Sequence, residues 1–376
     1  MLARALLILC ASLAFACGPV ATAPDAASSV AACASCHPDH ARDHSRSRHA
    51  NAANGALYRA LRDASAVGTR SFCDSCHRPE VGTSDGLSCE SCHQAIGNFG
   101  TSNARLRWDR SGAVTSARQE SVATRAHGTR FHGFLPTADL CGTCHEVEGP
   151  GAFRETPFTE WQRSPAAQRG DTCVSCHGSP TPGRASPRPM APAAVDPIAP
   201  SPDRARTDHR FVGPDDDTES AARLLVGSAT VSVRREGAEA VVTVTSLVTG
   251  HALPTGVRAV RELWLEVTTV DRAGRSTIVS GALDGEQRLA QPPSGAPWIA
   301  LHDELSPGLP TEATIVRVRA LEPTQSVSAR FAIAGETALV RARLRYRAQS
   351  QSLRLALGLE GPPPEPIDVA SVETPW

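Results

Sequence analysis

Residues Phe72–His93 read FCDSCHRPEVGTSDGLSCESCH. The stretch carries Cys-x-x-Cys-His twice, at Cys73–His77 and Cys89–His93, with a short Gly- and Ser-containing loop between the copies. Two thiols at this spacing, followed at once by an imidazole, suit covalent attachment of a haem. The sulfurs of Cys73 and Cys76, or of Cys89 and Cys92, add across the vinyl groups, and His77 or His93 ligates the iron. Groups anchored this close in sequence must lie close in space, so the stretch already reads as a short conductor.

Outward from it the motif recurs at Cys33–His37, Cys141–His145 and Cys173–His177. One copy is ambiguous, because Cys-x-x-Cys also serves zinc ribbons and thiol redox sites. Five copies, each with the histidine in the same place, favour haem. Ten of the twelve cysteines sit in these motifs: Cys33, Cys36, Cys73, Cys76, Cys89, Cys92, Cys141, Cys144, Cys173 and Cys176. The other two, Cys10 and Cys17, lie in the leader, which leaves no thiol for a disulfide framework. The expectation is five covalently attached haem c groups with His37, His77, His93, His145 and His177 as proximal ligands.

The 376 residues leave room for two domains. With 38 basic and 39 acidic residues the net charge is −1, which gives no electrostatic footprint for nucleic acid. Aromatic residues make up only 4%, so apolar surface in the N-terminal half must come largely from the haems.

Residues 1–16, MLARALLILCASLAFA, form a signal peptide: one Arg, an apolar run, then Ala14-Phe15-Ala16 before Cys17. The run is too short, with these flanks, for a membrane anchor. Cys17 also resembles a lipobox cysteine, although Ala14 and Phe15 stand where Leu and a small residue are commoner. Residues 17–32 are Ala-, Ser- and Pro-rich and read as a flexible tether. The expected location is the periplasm or cell surface, with membrane attachment through a lipidated Cys17.

An iron held by one motif histidine takes a sixth ligand, and a second imidazole is usual in electron carriers. His40, His44 and His49 follow the first motif at spacings that suit one helical face. His40 is too near its own motif to cross that haem, so His49 is the better donor, with His44 in reserve. His127 and His132 precede the fourth motif and are both candidates. Residues 53–66 read as an amphipathic helix with Leu57, Leu61 and Ala64 on one face. Thr156-Pro157 starts another helix bearing Trp161.

These motifs resemble the multihaem cytochrome c-554 family. The resemblance rests on the haem doublet with GLSCESCH, on Ser47-Arg-His-Ala50, and on the LCGTCH…EWQRSP…DTCVSCH run at 140–177. It implies a mostly helical and irregular haem domain over 33–177, tightly packed haems with chiefly bis-histidine iron, and electron transfer. That family often draws a distal histidine from Trp-x-x-Ser-x-His. Here 161–166 keep Trp and Ser but have Pro165-Ala166, so the segment supplies none. Either a histidine from elsewhere replaces it, or one haem is open.

Residues 178–208 are a proline-dense linker. From about Leu224 the pattern turns to Val-, Thr- and Leu-rich runs with period two: 224–234, 240–249, 261–271, 276–283, 313–320, 327–333 and 338–347. Seven such runs suggest an antiparallel β-sandwich of immunoglobulin-like type over 209–360, followed by a tail at 361–376. The whole is an α+β chain of two domains. Thr249-Gly-His251-Ala-Leu-Pro-Thr-Gly256 and His209-Arg-Phe211 are similar to segments of related multihaem proteins with a C-terminal β domain. That resemblance implies that His209 and His251 cap haems of the N-terminal domain. His302 reads as surface.

The leading functional expectation is an extracytoplasmic pentahaem cytochrome carrying electrons between other redox proteins. The alternative is a reductase or oxidase of a small nitrogen or sulfur compound at one open haem. No motif is altered, and the two tyrosines, Tyr58 and Tyr346, are remote from the motifs in sequence, which counts against the alternative.

Overall fold

The computed structural model describes residues 26–79, 86–119, 127–178, 180–181, 206–213, 218–290 and 295–376. The leader at 1–16, Cys17, the first part of the tether and most of the proline linker lie outside the described residues.

The N-terminal half is a chain of short elements. Helices α1 (Ala26–Ala34), α2 (Pro38–Ser45), α3 (Ala56–Ala64), α4 (Val67–His77) and α5 (Cys89–His93) come first. Two strand pairs follow: β1 (Ala95–Asn98) with β2 (Leu106–Trp108), and the parallel pair β3 (Val114–Ser116) with β4 (Thr129–Phe131). Then come α6 (Ala138–Gly142), the pair β5 (Val147–Glu148) and β6 (Arg154–Glu155), and helices α7 (Pro157–Gln162), α8 (Pro165–Gln168) and α9 (Cys173–His177). The α1 helix covers the end of the segment expected to be a loose tether. In α3, Leu61 is buried while Ala64 is exposed, because the helix presents one narrow apolar stripe.

Local chemistry explains why the motifs fold as helical turns. Ser88 caps α5: its hydroxyl accepts the N–H groups of Glu90 (3.1 Å) and Ser91 (3.3 Å), and Ser91 Oγ accepts the Ser88 N–H at 2.8 Å. Thr172 and Ser175 repeat this box at α9. At Cys33 and Cys141 the histidine N–H donates back to the first cysteine carbonyl at 2.8 Å, one helical turn away. Each motif thus presents its two thiols and its imidazole from a single turn.

Antiparallel strands β7 (Pro180–Thr181) and β8 (Arg206–Thr207) bring the two ends of the proline linker together. The C-terminal half begins with α10 (Thr218–Leu225), where the first strand was expected to start. Strands β9 (Ala229–Glu236), β10 (Glu239–Ser246), β11 (Glu262–Asp271) and β12 (Ser276–Ser280) follow. After them come β13 (Glu304–Leu305), β14 (Ile315–Arg317), β15 (Ser326–Ala332), β16 (Thr337–Arg347), helix α11 (Gln351–Ala356) and β17 (Ile367–Pro375). One sheet has the order β15-β10-β9, the other β12-β11-β16-β17, and all their pairings are antiparallel. The expected strand at 313–320 shortens to β14, which pairs only with β13. The expected tail is instead β17, an edge strand paired along β16, with Val369 buried.

Period two decides the faces. Val242, Val244 and Phe331 of the first sheet share one core with Leu263, Leu265, Val267, Ala342 and Leu344 of the second. On the other face, Thr243 and Thr245 bond across to Ser328 and Ser326.

Candidate functional site

Two imidazoles bound to one metal from opposite sides, with metal–nitrogen distances of about 2 Å, hold their ring centroids about 6 Å apart. Four motif histidines meet this condition with a histidine from elsewhere in the chain. His37 lies 6.3 Å from His127, His145 lies 6.0 Å from His49, His93 lies 6.2 Å from His209, and His177 lies 6.2 Å from His251. His40 is also 6.1 Å from His37, but it follows on the next helical turn and packs edge-on against His209 at 4.5 Å.

Second partners fix which nitrogen each ring presents. Nδ1 of His77 lies 2.7 Å from the Ala52 carbonyl, that of His93 2.9 Å from Thr115, and that of His177 2.8 Å from Val212. Nδ1 of His209 lies 2.9 Å from the Thr207 carbonyl, and that of His251 3.0 Å from Ala252. Donation from Nδ1 to these oxygens leaves Nε2 bare and aimed away, as a metal-binding imidazole requires. His145 differs: its Nδ1 lies 2.9 Å from Glu155 Oε1. Desolvation works against a charged His145, yet the Glu155 carboxylate outweighs it and raises the ring to about 9. Desolvation, reinforced by neighbouring imidazoles, lowers His49 to about 3 and His209 to about 4, so both rings are neutral, the metal-binding form.

His49 is held by backbone. Its carbonyl accepts the Leu87 N–H at 2.8 Å, and a Cβ on Gly86 would stand 2.3 Å from the same oxygen, so only glycine lets the end of the haem-doublet loop approach this closely. Ala166, at the position of the missing histidine, is buried, and its N–H donates to Thr249 O at 3.1 Å. The segment that cannot supply an imidazole therefore holds the loop that carries His251.

Thiols of different motifs also lie close together. Cys33 and Cys89, Cys76 and Cys144, and Cys141 and Cys173 lie near enough to perturb one another's thiols, and Cys76 Sγ stands 4.0 Å from the Cys144 carbonyl. Cys92 lies close enough to act electrostatically on both Cys141 and Cys144. The fourth motif is thus the junction, reached from the second, third and fifth.

The structure also places three further residues that the sequence singled out. His132 joins no imidazole pair; its Nδ1 accepts the Phe134 N–H at 3.3 Å. Tyr58 is not remote from the motifs: its ring stacks on His77 at 4.0 Å, and its hydroxyl donates to Asp74 Oδ1 at 2.7 Å. Asp74 also binds Arg62, and no local sequence signal links residues so far apart. His302 is largely enclosed, with a buried Nδ1, rather than a surface residue. Among the described residues no group of three or more His, Cys, Asp or Glu side chains is placed to hold a metal ion directly, as the zinc reading would require. Paired thiols with opposed imidazoles instead fit haem c.

The paired thiols and the facing imidazoles form one donor set, drawn from the N-terminal half and from the loops that carry His209 and His251. Among solved structures, the penta-heme cytochrome c552 from Thermochromatium tepidum shares the fold, with a TM-score of 0.64 and 17% identity over 93% of this chain and 98% of that one. No family model matches the chain, and no curated protein matches it.

Proposed function

We propose that the protein is a multihaem c-type cytochrome that passes electrons between redox partners through five covalently held haems. The observation that carries this reading is the set of four imidazole pairs at 6.0–6.3 Å, each with one member on a thiol-bearing helical turn. Bound haem would supply a one-electron ferric/ferrous couple at each motif. The polypeptide's part is to hold the thiols, orient both rings through Nδ1 and exclude water. The proximity of these thiols supports a branched path: first to third to fourth motif, with the second and fifth joining at the fourth. The likeness in fold to a penta-heme cytochrome agrees with this reading.

The kinship with cytochrome c-554 proteins belongs to the same proposal, as does export with anchoring through a lipidated Cys17. In it, the β unit is an immunoglobulin-like sandwich that delivers His251 and leaves its outer surface for a partner.

A second reading, reduction or oxidation of a small nitrogen or sulfur compound at one open haem, is favoured by one observation. All thirteen histidines lie among the described residues, and the ring packed on His77 is that of Tyr58, with no second imidazole near the 6 Å spacing. Low-temperature EPR of the oxidised, haem-loaded protein, with spins quantified, separates the two. Low-spin signals accounting for every haem support the carrier. A high-spin component whose line shape changes on His77→Ala, with the low-spin signals unchanged, supports the enzyme. Fewer than five haems by mass would overturn the pentahaem reading itself.

A further inference from the structure

His251 sits in a loop without regular structure, between Thr249 and a short 3-10 turn at Arg258–Val260. Such a loop holds a ring in one place only if its backbone is tied down on both sides. On one side the ties are the Ala166 N–H to Thr249 O bond and a 3.3 Å contact from Arg169 Nη2 to Thr249 Oγ1. On the other side Leu253 pairs with Leu321 through two backbone bonds of 2.8 and 2.9 Å, and the side-chain ties converge on Glu160, a residue of α7 in the haem-bearing half.

Glu160 Oε2 accepts the Thr255 hydroxyl at 2.6 Å and the Ala252 N–H at 3.1 Å. Its Oε1 accepts Arg258 Nη1 at 3.0 Å and the Thr156 hydroxyl at 2.9 Å. Arg258 in turn donates from Nε to Asp303 Oδ1 at 3.1 Å. The three side chains are only 10%, 8% and 2% exposed, so the charges are paired in a low-dielectric seam between the two halves. A buried carboxylate is tolerated only where its lone pairs are filled, and here three of its four donors come from the His251 loop and the turn after it.

We propose that Glu160 is a positioning residue for His251. It fixes the loop so that the His251 ring stands 6.2 Å from His177 at an interplanar angle of 20°. The inference rests on the reading of those two rings as ligands of one haem. It assigns to a side chain of the cytochrome half the placement of a ligand that the β unit carries. A mere staple between the halves would stabilise the fold without touching any iron.

The test uses the full-length, haem-loaded protein. His251→Ala serves as the reference and is expected to turn about one haem in five high-spin and, when reduced, reactive to carbon monoxide. Glu160→Ala should reproduce that signature at the same haem, in whole or in part. Glu160→Gln, which keeps an acceptor oxygen, should stay low-spin with shifted g values. Thr255→Val should lie between Glu160→Gln and the native protein. Glu160→Ala that retains five haems and the native EPR spectrum, while His251→Ala does not, overturns the positioning role alone. A silent His251→Ala overturns the ligand reading and this inference with it. If Glu160→Ala does not fold, Thr255→Val decides: an unchanged spectrum there counts against the proposal.

Discussion

Replacing Glu155 with Gln should raise the potential of the haem at Cys141–His145. The carboxylate oxygen lies 2.9 Å from His145 Nδ1. An imidazole spans about 2 Å between its nitrogens and an iron–nitrogen bond adds about 2 Å, which places the charge about 7 Å from the iron. At an effective dielectric of about 20, unit charges about 7 Å apart interact by roughly 2.4 kcal/mol. The ferric state carries one more positive charge than the ferrous, so the carboxylate favours ferric iron by about that amount. For one electron this is about 100 mV, since 59 mV corresponds to a tenfold change. Glutamine keeps the hydrogen-bond acceptor and loses the charge, so the shift is upward. Glu155 also acts electrostatically on His77, so the haem there should rise by a smaller step. A spectroelectrochemical titration resolved into one-electron components reads both shifts. The reasoning fails if no component moves by more than about 20 mV, because a charge at this distance cannot then be in contact with the proximal ring.

Three further outcomes follow from the geometry. His49→Ala should give one new high-spin haem by EPR, whereas His132→Ala should leave the spin states unchanged, since only the first ring faces a motif histidine. Gly142→Ala should lower the yield of fully haem-loaded protein, measured by intact mass, because its Cβ would stand 2.4 Å from the Phe158 ring beneath the fourth motif. Leu344→Ala empties space in a fully buried site shared by both sheets. It should cost about 3 kcal/mol in chemical denaturation of the β unit while the haem spectrum of the native state stays the same.

The amino-acid sequence by itself determined the donor set at each motif, two thiols and an imidazole. Five local Cys-x-x-Cys-His patterns fold as single turns because capping and i to i−4 bonds act within a few residues. It also determined most strands, because a face buried on a shared core imposes period two, as in Val242 and Val244 against Thr243 and Thr245. Strand β17 escaped because its alternation is brief and lies between a proline run and a Thr-Pro end. What faces each motif histidine was decided only by the tertiary structure. His209 meets His93, and His251 meets His177, across more than seventy residues of chain in each case. No local pattern distinguishes His127, which stands opposite His37, from His132, which does not. The same is true of Tyr58 on His77 and Glu155 on His145. Those contacts depend on how loops from separate elements close around a common site, and that closure is a property of long-range packing.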